Sequence, residues 1–105
     1  MHLTSYLQDG TLTIGLTGEI DHHCARKLIQ SITAKIEAYT PKVCVLDFQD
    51  VAFMDSSGIA VVINAMRNMT KIEGSLALTG LNQQPMKVFR ASGIDKLVNI
   101  KEEVK

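Results

Sequence analysis

Three observations in the sequence predict an α/β domain. Apolar residues alternate as in strands near the N-terminus, recur at helical spacing in two long central segments, and form strand-like runs between them. Asp9-Gly10 separates the first two alternating stretches as a hairpin signal. Strands that alternate with helices pair in parallel through right-handed crossovers. The predicted order is therefore ββαβαβαβ, an N-terminal β-hairpin followed by a mixed, mostly parallel sheet.

The elements follow in order. Leu3 to Leu7 and Leu12 to Leu16 read as the hairpin strands. Ala25, Leu28, Ile29, Ile32, Ile36 and Tyr39 then fall on one helical face, with Asp21 predicted as the N-cap and Pro41 ending the segment. Lys42 to Phe48 is a nearly continuous apolar run, which predicts a strand covered on both faces. A second helix reads from Ser56 to about Ile72, with Ile59, Val62, Ile63, Met66 and Met69 facing the core and Asn64, Arg67, Asn68 and Lys71 facing out. Ser75 to Thr79 is the next strand, Pro85 to Ala91 a short helix stopped by Ser92-Gly93, and Leu97 to Ile100 the last strand. The tail 101–105 is predicted to fray.

Composition narrows the function classes. At 105 residues, with 46% apolar and 21% charged, the chain is expected to be one globular domain, and its core must be aliphatic because it has no Trp. Eleven basic and eleven acidic residues cancel without a Lys/Arg cluster, so no nucleic-acid partner is expected. The apolar runs are far shorter than the roughly twenty residues that cross a bilayer. Met1 to Ser5 has no signal-peptide layout, so a cytoplasmic protein without a membrane partner is expected. Cys24 and Cys44 are then expected to be reduced packing thiols.

The richest segment is Val51-Ala52-Phe53-Met54-Asp55-Ser56-Ser57-Gly58-Ile59, where a strand pattern gives way to small polar residues just before a helix. The residues admit two readings. Asp55 and Ser56 can simply cap the helix. Alternatively, Ser56 can carry a phosphate, since free N–H groups and the dipole at a helix start favour negative charge. Such a phosphate would add about −1.5 to −2 charges beside Asp55 and change binding rather than folding.

Phe53-Met54-Asp55-Ser56-Ser57-Gly58 resembles the Asp-Ser-Ser/Thr-Gly signature of the anti-sigma-factor antagonists of the STAS family, and Gly18-Glu19-Ile20-Asp21-His22-His23 resembles its second hallmark. The spacing of the two and the order of elements also match, over nearly the whole chain. The Asp-His-His run is most similar to the sporulation branch, which acts on anti-sigma F. The resemblance implies that Ser56 is the phosphoacceptor and that the partner surface comprises Asp21 and His22 together with Asp55, Ser57, Gly58 and Ile59. It further implies that the unphosphorylated protein binds an anti-sigma serine kinase, with ATP held by that partner, and releases a sigma factor. The kinase then phosphorylates the serine and a serine phosphatase resets it. The chain would be a substrate, not an enzyme, and needs no cofactor. Two departures stand out: Ala60 where the family commonly has Gly, and a chain ending at Lys105 where relatives often continue into a fuller helix.

Other readings are weaker. Asp21-His22-His23-Cys24 offers metal-ligand types, but successive residues opening a helix point about 100° apart and do not converge on one ion. A serine-hydrolase triad lacks Gly-x-Ser-x-Gly and any late histidine. Met66 and Met69 read as core filler. The alternative within the same fold is a STAS scaffold or regulatory subunit of another signalling complex, against which the single-domain length and the Asp-His-His run argue.

Overall fold

The structure, a computed structural model, describes residues 1–101. Its strands are β1 (His2–Gln8), β2 (Thr11–Thr17), β3 (Val43–Asp50), β4 (Ser75–Thr79) and β5 (Asn99–Lys101), and its helices are α1 (Ala25–Tyr39), α2 (Ser57–Lys71) and α3 (Gln83–Ser92). A short 3-10 turn, Ile94–Lys96, precedes β5. The predicted order therefore stands, and the tail from 102 to 105 lies outside the described residues.

One five-stranded sheet runs in the order β1-β2-β3-β4-β5. The β1–β2 pair is antiparallel and the other three are parallel. The hairpin closes through Asp9 and Gly10, both at positive φ (52° and 80°), the pairing that matches the natural twist of two strands.

Burial alternates along the central strands. Leu12, Ile14 and Leu16 on β2 and Cys44, Leu46 and Phe48 on β3 are buried, whereas Thr11, Thr13, Val43 and Val45 between them are only half-buried. This corrects the expectation that β3 is covered on both faces. Val43 and Val45 are β-branched residues that suit a pleated, half-open surface as well as a core. The buried face joins Leu28, Ile32 and Ile36 of α1 and Val61, Val62, Ala65 and Met69 of α2 in a single core. Phe48 and Phe89 meet edge to face, with centroids 5.6 Å apart, which ties α3 to the same core.

The helix faces differ in detail from the predicted ones. On α1, Ala25, Leu28, Ile32 and Ile36 are buried, but Tyr39 at its end is exposed. On α2 the most deeply buried set is Gly58, Val61, Val62, Ala65 and Met69, with Ile59, Ile63 and Met66 partly buried beside it. Val62 and Met69 fall on the buried face as predicted, but Val61 and Ala65 share it in place of Ile59, Ile63 and Met66, so the buried stripe is turned slightly round the helix from the predicted one. The third helix begins at Gln83, before the predicted Pro85, and Pro85 is tolerated because first-turn N–H groups have no intrahelical partner.

Cys24 and Cys44 are free thiols. Burial pushes the Cys44 thiol up to about 12, which keeps it protonated and inert. No helix among the described residues is long and apolar enough to cross a membrane.

Candidate functional site

The candidate residues gather beyond the C-terminal ends of β2 and β3, where loops from adjacent parallel strands come together. Past the end of the β2–β3 ladder the two chains stay paired. Gly18 N–H donates to Asp50 O (3.2 Å), Ile20 N–H to Phe53 O (3.1 Å), and Asp55 N–H to Ile20 O (2.9 Å). An isolated parallel bridge joins Ile20 to Met54. Both side chains are fully buried, so Asp21 and Asp55 each follow directly on an anchored apolar residue. The segments expected to form one surface are thus fastened side by side.

Asp21 does not cap α1 directly, as the sequence predicted. The N-cap position is Cys24, and Asp21 heads a lead-in turn through His22 and His23. Its Oδ1 accepts from the His23 N–H (2.9 Å) and the Cys24 N–H (3.1 Å), and its carbonyl accepts from the Ala25 N–H (3.0 Å). Aspartate satisfies local N–H groups in a turn as readily as at a helix end, so the carboxylate does a capping task one turn early. Hydrogen bonding from Cys24 holds its carboxyl below the usual value of 3.8.

Asp55 and Ser56 divide the start of α2 between them. Ser56 occupies the N-cap position with backbone angles of −62° and −14°, yet its side chain makes no capping bond. Asp55 Oδ1 accepts from the Ser57 N–H at 2.8 Å instead, and bonds from Ser57 lower the Asp55 pKa. Gly58 N–H donates to Asp55 O (3.1 Å) and Ile59 N–H to Ser56 O (3.1 Å). The first-turn N–H groups are therefore engaged, contrary to the free donors expected from the sequence. A negative group on Ser56 would feel the helix dipole but would project from an already satisfied helix start.

Ser56 and His22 are exposed, Asp21, Asp55, Ser57 and Ile59 are half-buried, and Gly58 is buried. His22 Nδ1 lies 3.8 Å from Asp55 Oδ2, too long for a hydrogen bond but within ion-pair range when the ring is protonated. Its ring also lies against that of His23, with centroids 4.0 Å apart. Gly58 belongs to the support of the site rather than its rim. A Cβ there would stand 2.5 Å from Met54 Sδ, so any larger residue would have to displace the buried Met54 side chain on which α2 rests. Among the described residues no group of three His, Cys, Asp or Glu side chains is placed to hold a metal ion.

The loop is held from its other side by residues that no motif singled out. Gln84, in the first turn of α3, accepts from the Met54 N–H through Oε1 and donates to the Met54 carbonyl through Nε2, both at 2.8 Å. Asn82 Nδ2 donates to Gln49 O (3.1 Å) and Val51 O (2.9 Å). These contacts span about thirty residues of chain, and the only advance signal was the run of three amide residues, Asn82-Gln83-Gln84, before Pro85.

The sequence profile of the STAS domain family matches residues 2–105. The chain is 33% identical over 84 residues to the anti-sigma F factor antagonist of Lysinibacillus sphaericus, covering 80% of this chain and 72% of that protein. It is 29% identical over 93 residues to the anti-sigma-B factor antagonist of Listeria monocytogenes, covering 86% and 78%. In three dimensions it resembles SpoIIAA, an anti-sigma factor antagonist, in its unphosphorylated form, with a TM-score of 0.83, 26% identity and coverage of 99% and 90%. Against the phosphorylated form of the Bacillus protein the TM-score is 0.74, at 26% identity and coverage of 99% and 93%. The chain belongs to the STAS domain family, and within it to the anti-sigma factor antagonists, which are regulators rather than enzymes.

Proposed function

We propose that this chain is an antagonist of the sporulation type, in which the unphosphorylated protein binds an anti-sigma F serine kinase and is switched off by phosphorylation of Ser56. The observation that carries this reading is the Ser56 hydroxyl, exposed at a helix start and spared from capping because Asp55 does that work. A serine committed to the cap would have to give up its bond before accepting a phosphate; Ser56 does not. The partner surface is the rim formed by Asp21 and His22 on one loop and Asp55, Ser56, Ser57 and Ile59 on the other.

The switch is electrostatic and steric. Asp21 and Asp55 both have lowered pKa values and are ionised at neutral pH. Adding about −1.5 to −2 charges beside Asp55, on the rim that Asp21 shares, builds a concentrated negative patch and fills space there. A partner that fits the neutral serine loses both charge and shape complementarity. A serine phosphatase restores binding. Support for the sporulation branch comes from the Asp21-His22-His23 run and from the likeness to the anti-sigma F antagonist.

The test is phosphopeptide mapping after incubation with the kinase and ATP. Label is expected on Ser56, lost in Ser56→Ala with binding retained, and Ser56→Asp is expected to bind more weakly. Label confined to Ser57, or none, overturns the assignment. Affinities measured side by side for anti-sigma F and anti-sigma-B kinases test the branch, and tighter binding to the second would reverse it.

A further inference from the structure

We infer that Gln84 is a positioning residue for Ser56, and that the first turn of α3 serves as the outer support of the phosphoacceptor loop. This rests on the proposed role of Ser56 and adds to it the element that fixes where the serine stands.

Met54 is the point through which the loop is held. On one side its segment pairs with Ile20, through the bonds of Ile20 N–H to Phe53 O and Asp55 N–H to Ile20 O. On the other side the Gln84 amide accepts from the Met54 N–H and donates to the Met54 carbonyl. One side-chain amide thereby satisfies both backbone groups of one residue, as a facing residue of an antiparallel strand would. Met54 is in effect the middle of a three-stranded ladder whose third strand is a single side chain. Its own side chain is fully buried, and Gly58 of α2 rests directly on its sulfur. Ser56 lies midway between Met54 and Gly58, so a shift of the Met54 backbone moves both ends of the segment that carries it.

Without Gln84 the Met54 N–H and carbonyl would lose their only partners among the described residues other than solvent. The loop would then depend on the Ile20 side alone, with Asn82 holding the earlier residues Gln49 and Val51. A kinase must find the serine hydroxyl in line with the phosphoryl group, and small displacements of a reacting atom carry large rate costs.

The test combines amide hydrogen exchange with phosphorylation kinetics on native protein, Gln84→Ala and Gln84→Glu. In Gln84→Ala, exchange at Met54 is expected to rise at least about tenfold while Val62 in α2 keeps its native rate, the mark of local rather than global opening. Phosphorylation kcat/KM is expected to fall about three- to tenfold. Gln84→Glu keeps the acceptor and loses the donor, and is expected to lie between. Unchanged Met54 exchange in Gln84→Ala, or a rise shared equally by Val62, overturns the inference. So does faster Met54 exchange with an unaltered phosphorylation rate. If the native protein takes no phosphate on Ser56, the proposed function fails, whereas the exchange data still decide whether Gln84 holds the loop.

Discussion

The Ser57 N–H donates to Asp55 Oδ1 at 2.8 Å, so an aspartate one residue before the N-cap closes the start of α2. Ser56 sits at the capping position with nothing to cap. Its hydroxyl is available for chemistry without a structural cost.

A stability prediction separates this arrangement from an ordinary serine cap. Replacing a capping serine by alanine typically destabilises a protein by about 1 kcal/mol. Ser56→Ala should instead leave the urea midpoint unchanged, because no capping bond is lost. A drop of the usual size would show that the hydroxyl caps the helix in solution.

The acid limb of the stability curve should report on both carboxylates. Asp55 is lowered by hydrogen bonding from Ser57, and Asp21 by that from Cys24, each from 3.8. A folded-state pKa below the unfolded value contributes stability that is fully present above the unfolded pKa. That contribution disappears as pH falls through the folded value. The urea midpoint should therefore hold between about pH 7 and 5 and decline below about pH 4 from this cause. Asp55→Asn, which keeps an acceptor oxygen but cannot ionise, should show a shallower acid decline. Identical acid limbs in the variant and the native protein would remove Asp55 from the account.

Gly58 gives a prediction whose sign depends on its neighbour. A Cβ at this position meets Met54 Sδ at 2.5 Å and Cε at 2.8 Å, and Met54 is fully buried. Overpacking of this kind costs about 1–3 kcal/mol, partly offset by the roughly 1 kcal/mol gain in helix propensity of Ala over Gly. Gly58→Ala should destabilise by about 1 kcal/mol net. In a Met54→Ala background the new methyl finds room, and Gly58→Ala should become stabilising. Equal effects in both backgrounds would mean the two residues do not meet.

The sequence carried the fold well because each element has a local signal. Asp9-Gly10 specified the hairpin, and Ser75 to Thr79 was read at its observed bounds. Errors arose where tertiary contact overrides local pattern. Val43 and Val45 made β3 look doubly covered, although one face of the sheet is only half-buried. Asp21 looked like a helix cap because its chemistry is the same in a turn, and only the backbone shows α1 opening at Ala25. That the loops around Asp21 and Asp55 lie side by side agrees with the pairing of the two motifs, whereas Gly58, grouped with the surface residues by its motif, is buried beneath them. Gln84 was not legible, because a side-chain amide that replaces a strand thirty residues away leaves no periodicity to read.

Phe53 should contribute to partner binding without contributing to stability. Its backbone is fixed, since its carbonyl accepts from the Ile20 N–H, while the residue is 44% exposed directly before the buried Met54. An aromatic ring held on a rigid segment and left in water loses little entropy when a partner covers it, and such residues are enriched where interfaces concentrate their energy. Phe53→Ala should therefore leave the urea midpoint near the native value and weaken binding of the proposed kinase partner about tenfold, equivalent to about 1.4 kcal/mol. Titration calorimetry with the purified kinase measures the second quantity. An unaltered affinity would place Phe53 outside the interface, and a large fall in the unfolding midpoint would show that the ring serves the fold instead.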